Sequence, residues 1–339
     1  MKIEEWDYKN ASEEALRERY EFGIAIDRET DPETPDDPYG MWRRAIFLET
    51  PFYENKMWQV RDDGELIGAG WLGLSRSDNN RHLAQFNIRV RSDRRREGVG
   101  REVLSIIADV AEADARTTLS CGTPKDSPGE AFLGSVGMEQ KLLDRRSRLR
   151  VNEVDQSVID GWIADATPKT AEYSLLCFEG RTPEEHIEAV IELEETMNDA
   201  PKDDLDMEDW HQTVDEFRDG ERRHIERGDK WLYLVAQHNP TGQFAGFTHL
   251  TWHPDLPELV WQQGTAVRRE HRGHALGRWL KATNYNALRV ANPRVEFIDT
   301  WNAGTNKWML AINDDMGFRP YIWYSARDAK IADIKKAIA

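Results

Sequence analysis

The sequence predicts a mixed α+β fold in which two copies of one unit follow each other, each with a mainly antiparallel sheet flanked by helices. The length of 339 residues suits two domains. Hairpin-like runs of β-forming residues recur in both halves. Matching residues also recur at a nearly constant offset, since Gly68 and Gly246 lie 178 residues apart and Arg95 and Arg272 lie 177 apart.

The first half supplies the order of the elements. Residues 57–74 read as a hairpin around Asp63-Gly64, and residues 83–90 read as a strand. A polar turn then leads into an apolar-periodic helix over 101–115. The strand TTLSCGT and the segment AFLGSVGM complete the unit.

The second half repeats this order, with a hairpin over 230–252, a strand over 258–267 and helices over 278–291 and 304–316. The repeat predicts an N-terminal domain and a C-terminal domain joined by a linker that contains a short helix, Asp155–Ala166. The three predicted ranges are 1–152 for the first domain, 153–171 for the linker and 172–339 for the second domain.

Composition excludes several classes of protein. A net charge of −17 repels phosphate backbones, so a nucleic-acid partner is not expected. No run approaches the ~18 apolar residues of a membrane span, and the start of the chain lacks the apolar core of a secretory signal. Cys121 and Cys177 are far apart, which argues against a disulfide or a metal site. We therefore expect a cytoplasmic protein, monomeric or homodimeric, with no bound metal.

Two polar turns have the features of an anion-binding site. The segments 95–100 and 272–277 each leave a strand and open a helix. Helix N-termini present unpaired N–H groups and partial positive charge, so they are ready anion sites. Gly98 and Gly100 would let the backbone approach a pyrophosphate closely, whereas the second copy has Ala275 in place of the first of these glycines.

These segments resemble the acetyl-CoA signature of the GNAT acyltransferase superfamily. The match is close in TAVRREHRGHALGRWLKATN and looser in FNIRVRSDRRREGVGREVL, and the tandem layout is similar to that of the mycothiol synthase family and other two-domain GNAT proteins. The resemblance implies acetyl-CoA as cofactor, bound by strand backbone, turn amides and polar residues that follow. In the second half these residues are Ala266, Val267, Arg268, Arg272, Gly273, His274, Ala275, Leu276, Gly277, Arg278, Asn302, Asn306 and Asn313. In the first half they are Ile88, Val90, Arg95, Arg96, Glu97, Gly98, Val99, Gly100 and Arg101.

The implied reaction is direct attack of an amine on the thioester. The family's proton-donating Tyr is replaced by Asn313 in the second half and by Leu133 in the first. Tyr285, Tyr321 or water could protonate the thiolate instead. For the base, Glu258 is the first candidate, with three histidines as alternatives and ordinary solvated roles open for all. These histidines are His249, His253 and His271.

The second half is predicted to be catalytic and the first degenerate or supporting, because the second keeps more polar residues after its turn. An acidic segment over 203–209 would attract a small cationic amine, which makes antibiotic resistance a candidate setting. Asn302 and Asn306 could equally be helix-capping residues. Two other functions stay open, which are a non-catalytic acyl-CoA sensor or scaffold and acetylation of an aminothiol sugar as in mycothiol synthase.

Overall fold

The computed structural model describes residues 1–339 and divides them into two compact units. Unit 1 consists of Met1–Leu143, Lys202–Glu208 and Trp323–Ala339. Unit 2 consists of Asp144–Pro201 and Asp209–Ile322. No helix in the chain is long and apolar enough to cross a membrane. Each unit has the mixed α+β organisation that the sequence predicts, with strands that are mainly antiparallel.

Unit 1 contains a sheet with helices packed against it. The strand order is β1-β2-β3-β4-β5-β12, and only the β4–β5 pair is parallel. The strands are β1 (Lys2–Glu5), β2 (Tyr53–Asp62), β3 (Glu65–Ser75), β4 (Leu83–Val90), β5 (Thr118–Pro124) and β12 (Arg319–Lys330). The helices are α1 (Glu13–Thr30), α2 (Tyr39–Phe47), α3 (Val99–Ala113), α4 (Pro128–Ser135) and α10 (Ile331–Ile338).

Unit 2 repeats the arrangement. Its strand order is β6-β11-β10-β9-β8-β7, and only the β10–β11 pair is parallel. The strands are β6 (Glu139–Arg150), β7 (Tyr173–Phe178), β8 (Lys230–His238), β9 (Phe244–His253), β10 (Leu256–Val267) and β11 (Phe297–Ala303). The helices are α5 (Gln156–Ala166), α6 (Ile187–Glu194), α7 (Val214–Arg227), α8 (Leu276–Ala291) and α9 (Lys307–Met316).

The last strand of each repeat is exchanged. The first copy ends in β6, but residues 144–150 of β6 pair with β11 inside unit 2. The second copy ends in β12, but residues 324–330 of β12 pair with β5 inside unit 1. The two strands occupy equivalent places in the repeat, so each can pair antiparallel with either partner, as in domain swapping. The contiguous domains 1–152 and 172–339 therefore differ from the compact units of the structure.

The segment that the sequence assigns to a linker is part of unit 2. Its predicted helix forms as α5, and the Asp155 side chain caps the first turn by accepting from Ser157 N at 2.9 Å. Ile159 and Trp162 bury their side chains in the same hydrophobic cluster as Leu288 and Phe318. An apolar helix face buried in this way makes the segment a structural element of the unit.

In each unit the two parallel strands pair over a short stretch and then separate. β4 pairs with β5 only from Leu83 to Gln85, although β4 continues to Val90. β10 pairs with β11 only from Leu259 to Gln262, although β10 continues to Val267. Backbone N–H and C=O groups beyond the paired stretch lack a strand partner on that side. Each unit thus has a wedge at the strand ends, directly before its polar turn.

Candidate functional site

The first polar turn places the start of α3 at the wedge of unit 1. Arg96 and Gly98 both adopt left-handed backbone angles, with φ of 68° and 90°. Gly98 is the N-cap residue of α3 and supplies no side-chain hydrogen bond to the helix. The first N–H groups of α3 therefore have no side-chain cap at their N-terminus, where an anion would be stabilised.

The second turn has the same backbone but a different placement of glycine. Gly273 and Ala275 adopt left-handed φ angles of 90° and 61°, at the positions equivalent to Arg96 and Gly98. Each copy thus has one glycine and one L-residue at the two left-handed positions, in opposite order. A left-handed L-residue costs about 1–2 kcal/mol, so each turn carries backbone strain at one of its two positions.

The first arginine of each turn anchors the turn to its own strand. Arg95 Nε donates to the Val90 carbonyl at 3.1 Å, and Arg272 Nε donates to the Val267 carbonyl at 3.0 Å. Arg95 also pairs with the Glu29 carboxylate at 2.5 Å, and Arg272 pairs with a carboxylate at 2.9 Å in the same way. Each of these two guanidinium groups is therefore held by its own strand and by a carboxylate.

A cavity of about 860 Å³ opens in unit 1 where β4 and β5 separate. This volume lies within the ~300–1,000 Å³ typical of small-molecule sites. Its walls come from the free end of β4, the first polar turn, the end of β5, the start of α4 and the end of α1. The residues at these places include 87–90, 94–96, 98–101, 122–124 and 127–129, together with 26, 27, 29 and 30.

The side chains around the cavity make its turn end basic. Five arginines line it against two carboxylates. Both carboxylates are paired, Asp27 with Arg89 at 2.9 Å and Glu29 with Arg95. Arg94 is also paired, with Asp62 and Glu97. Arg96 and Arg101 are therefore the guanidinium groups placed to give phosphate oxygens charge-assisted hydrogen bonds beside the uncapped helix amides. The five arginines are Arg89, Arg94, Arg95, Arg96 and Arg101.

Of the nine residues predicted to bind the cofactor in the first half, eight line the cavity and one does not. Ile88, Val90, Arg95, Arg96, Gly98, Val99, Gly100 and Arg101 are in its walls, whereas Glu97 pairs with Arg94 at 2.9 Å. Gly100 has a close neighbour, because a Cβ there would lie 3.3 Å from the Phe132 ring. The structure therefore brings nearly the whole first-half set together at one site.

The polar residues that favoured the second half have structural roles. The Asn306 side chain caps α9 by accepting from Met309 N at 3.2 Å, which is the capping alternative that the sequence left open. Asn313 is fully buried and donates to Asn302 Oδ1 at 2.7 Å. The remaining second-half residues, 266–268 and 272–278, lie at the end of β10, in the second turn and at the start of α8.

The three predicted catalytic residues lie on three different elements, β10, α8 and β12. Tyr285 is 1% exposed in the core of unit 2, where its hydroxyl accepts from Arg289 at 3.1 Å. The ring of Tyr321 contacts the guanidinium of Arg148 at 3.9 Å. Glu258 lies near the start of β10, and its carbonyl accepts from Glu296 N. The structure thus gives Tyr285 a core position that does not suit a proton donor to a bound thiolate.

The candidate histidines either make hydrogen bonds within the protein or have a neutral ring. His271 bonds to the Tyr173 hydroxyl at 2.9 Å, and burial lowers its pKa. His253 Nε2 is 2.9 Å from the Arg227 carbonyl. Burial lowers the pKa of His249 to about 3, so its ring stays neutral at physiological pH.

One titratable residue that the sequence reasoning missed is Glu194, at the end of α6. Burial raises the pKa of Glu194 to about 7, and the nearby Tyr233 opposes the shift. Tyr233 is itself buried, and its ring centroid lies 5.1 Å from that of His249. The sequence signal was weak, because Glu194 stands in the acidic run IELEETMND, which reads as a solvated helix face.

The acidic segment expected to attract a cationic acceptor in the second half is docked in unit 1. Lys202–Glu208 belongs to that unit. The Asp206 carboxylate accepts from Lys330 Nζ at 2.7 Å and from Thr118 Oγ1 at 3.1 Å, and these partners lower its pKa. Asn80 N donates to the Glu208 carboxylate at 2.7 Å. Asp206 and Glu208 therefore hold the segment in place, which corrects the expectation that they form an acceptor wall in the second half.

Comparison with known proteins shows which family and which solved structures this chain resembles. The sequence model of the acetyltransferase (GNAT) family matches residues 16–133. A search of curated protein sequences finds no match. A tandem GNAT protein from the clavulanic acid biosynthesis pathway, solved without AcCoA, has 26% identity and a TM-score of 0.79, covering 97% of this chain and 98% of that chain.

Two further solved structures share the fold at lower identity. A GCN5-related N-acetyltransferase from Sphaerobacter thermophilus has 14% identity and a TM-score of 0.65, covering 93% of this chain and 92% of that one. Saccharomyces cerevisiae N-myristoyltransferase with bound myristoyl-CoA and inhibitors has 12% identity and a TM-score of 0.57, covering 96% and 79%. The chain therefore has the fold of a tandem GNAT protein, and its residues 16–133 match the sequence model of the GNAT acetyltransferase family.

Proposed function

We propose that this protein is an acyl-CoA-dependent N-acyltransferase that holds acetyl-CoA in the cavity of unit 1 and transfers the acetyl group to a small primary amine. One observation carries the proposal most directly. The cavity joins a free strand edge on β4 to uncapped helix amides and a basic turn. An amide-containing arm that ends in a pyrophosphate needs both features.

The residues of the cavity divide the binding between them. The free backbone of 87–90 on β4 can pair with the amides of the pantetheine arm, as an added strand would. The first N–H groups of α3 can hold the pyrophosphate, with Arg96 and Arg101 close by for phosphate charge. The amine then attacks the thioester carbonyl, and a strand N–H can stabilise the oxyanion.

This assignment moves the proposed working site from the second half to the first. The sequence favoured the second half for its asparagines, but Asn306 caps a helix and Asn313 is buried. The family match over 16–133 also falls in the first half. The net charge of −17 favours a cationic amine over an anionic acceptor, through the long-range field of the whole protein.

The test combines acetyl-CoA with a panel of primary amines, including aminoglycosides, polyamines and peptide N-termini. We expect amine-dependent release of the CoA thiol and a product heavier by one acetyl group. Gly100→Leu should abolish turnover by filling the cavity beside Phe132. Gly277→Leu, the equivalent change in the second turn, is the matched control and should leave turnover in place.

A specific observation keeps an acyl-CoA sensor as the second candidate. Leu133 stands where the family's proton-donating Tyr would be, and its side chain is buried. A sensor would bind acetyl-CoA with the same dependence on Gly100 but release no thiol with any amine. Binding without turnover would therefore replace the transferase by the sensor, whereas absence of binding would contradict both.

A further inference from the structure

The strand exchange brings a tyrosine from the far end of the sequence into the wall of the unit 1 cavity. Tyr324 lies on β12, pairs in register with Pro124 at the end of β5 and lines the cavity. Its neighbour Ser325 is fully buried and bonds to Gln140. Because successive residues of a strand point to opposite faces, Tyr324 and Ser325 face opposite sides of the sheet.

The cavity is open close to the strand position of Tyr324. Gly122 lies two residues before Pro124 on β5, lines the same cavity and has nothing within 4 Å of the position that its Cβ would take. The wedge between β4 and β5 opens at this level, because their pairing stops at Gln85 and Ser120. A phenol at this position can reach a thioester that enters the wedge along β4.

Acyl transfer to an amine needs a proton for the leaving sulfur, and few groups in the cavity can give one. Arginine is too weak an acid, since its pKa exceeds ~12. The aliphatic hydroxyl groups of serine and threonine in the cavity wall are much weaker acids than a phenol. These residues are Thr30, Thr123, Ser127 and Ser135. Tyr324 is the one phenol in the wall, and phenols and thiols have ordinary pKa values within about 2 units of each other.

We infer that Tyr324, delivered by the exchanged strand β12, is the catalytic proton donor of the site in unit 1. The second half of the sequence thus completes the site of the first half. A repeat that kept its own last strand would place β6 there, with Asp144 at the position equivalent to Tyr324. The exchange is therefore a condition for the chemistry as well as a feature of the fold.

The proposed reaction accounts for every proton and electron pair. The amine nitrogen attacks the carbonyl carbon and forms the C–N bond, and the C–S bond then breaks with its electron pair on sulfur. The Tyr324 hydroxyl gives its proton to that sulfur, and the phenolate regains a proton from the nitrogen by way of water. The products are the N-acyl amine and CoA with a free thiol.

The inference rests on the proposed acyl-CoA site, so the first experiment needs no acceptor. The affinities of CoA and desulfo-CoA are measured by calorimetry for the full-length protein and for Tyr324→Phe. We expect the substitution to weaken CoA by about three- to tenfold while leaving desulfo-CoA unchanged, because one hydrogen bond to sulfur is lost. Tyr53→Phe removes a phenol of unit 1 that is not in the cavity wall and should change neither affinity.

Each outcome decides a separate question. If the ratio of CoA affinity to desulfo-CoA affinity is the same in the wild type and in Tyr324→Phe, then Tyr324 does not contact the sulfur and the inference is overturned. Failure of both ligands to bind the wild-type protein contradicts the proposed function itself. Circular dichroism and thermal melting of Tyr324→Phe confirm that the variant is folded before either conclusion is drawn.

Kinetics with any amine found in the panel supply the second readout. We expect Tyr324→Phe to lower kcat about a hundredfold with little change in KM for acetyl-CoA, as for loss of a general acid. The wild-type rate should fall at high pH as the phenol ionises, and this alkaline limb should vanish in the variant. An unchanged kcat, or an alkaline limb that persists, would assign the proton transfer to water.

Discussion

The helices α3 and α8 are equivalent elements of the repeat, yet the two copies differ at three buried positions in and beside these helices. Beneath α3 lie Leu104, Ile107 and, from α4, Leu133, all in one hydrophobic cluster. At the equivalent positions of unit 2 stand residues that are at most 2% exposed but polar. They are Lys281, Asn284 and Asn313. The duplicated copies have kept one backbone while diverging in what the backbone encloses.

The buried polar side chains at these three positions of unit 2 make only some of the hydrogen bonds that they could make. Asn284 Nδ2 donates to the Leu232 carbonyl at 3.3 Å, but the Oδ1 atoms of Asn284 and Asn313 have no hydrogen-bond partner. Burial lowers the pKa of Lys281 to about 7, and its ammonium lies 5.4 Å from the Phe318 ring centroid. Unsatisfied buried groups cost about 1–3 kcal/mol each, so we expect these atoms to lower the stability of unit 2. The comparison teaches that repetition of the fold does not imply repetition of what the core contains.

The largest change in stability is expected when a lysine replaces the apolar residue of unit 1 at the position equivalent to Lys281. Leu104→Lys should lower the free energy of unfolding of unit 1 by at least ~4 kcal/mol, because an amine with no partner must be neutralised to be buried. Urea unfolding followed by circular dichroism measures the change. Leu104→Met, which keeps the volume and the apolar character, is the control and should cost less than about 1.5 kcal/mol. A Leu104→Lys protein as stable as Leu104→Met would refute the contrast between the two cores.

The reverse substitution, Lys281→Leu, should raise the free energy of unfolding of unit 2, and the size of this increase should depend on pH. The pKa of Lys281 is about 7 in the folded state and ~10.4 in the unfolded chain, so between these values only the unfolded state binds the proton. The free energy of unfolding of the wild type should therefore rise with pH across this window, by up to ~1.4 kcal/mol per unit. Lys281→Leu removes this contribution, so its advantage over the wild type should be greatest near pH 7 and shrink towards pH 10. Urea unfolding of both proteins from pH 6 to 10 measures the difference in their free energies of unfolding. If this difference does not change with pH, Lys281 is not buried as a neutral amine.

The smallest expected effect concerns the two turns. Ala275→Gly should raise the stability of unit 2 by about 1 kcal/mol, since glycine adopts the left-handed angle without a Cβ penalty. Gly98→Ala at the equivalent position should lower the stability of unit 1 by a similar amount. Thermal melting of the two variants measures both changes. Effects of the same sign would show that the two turns do not share the backbone described above.

The sequence predicted most of the local structure. The hairpin turn at Asp63-Gly64, the helices α3 and α8 and both polar turns form as expected, because each has a strong local signal. The strand exchange could not be predicted, since β6 and β12 are equivalent strands and no local preference separates the two pairings. The position of α5 in the core of unit 2 was missed for a related reason, because the apolar residues of a short helix do not say what they pack against.

The candidate site was predicted in part. The first turn and the β4 residues beside it line one cavity, and their role in binding the cofactor stays a prediction. The choice between the halves relied on polar residues whose partners are set by tertiary structure, such as Asn306 at a helix cap and Asn313 in the core. Tyr324 could not be found from its neighbours in sequence, since its place in the cavity depends on the strand exchange. Lys281 stands in an apolar-periodic helix, where a lysine ordinarily reads as exposed.

The central claim is that acyl-CoA binds at the turn of unit 1, and calorimetric titration of acetyl-CoA into two matched variants tests it most directly. Gly98→Asp and Ala275→Asp place a carboxylate at the same position of the first and second turns, where it would repel a pyrophosphate. We predict that Gly98→Asp weakens acetyl-CoA at least about a hundredfold while Ala275→Asp keeps a wild-type binding event. Wild-type affinity and stoichiometry in Gly98→Asp would contradict the account.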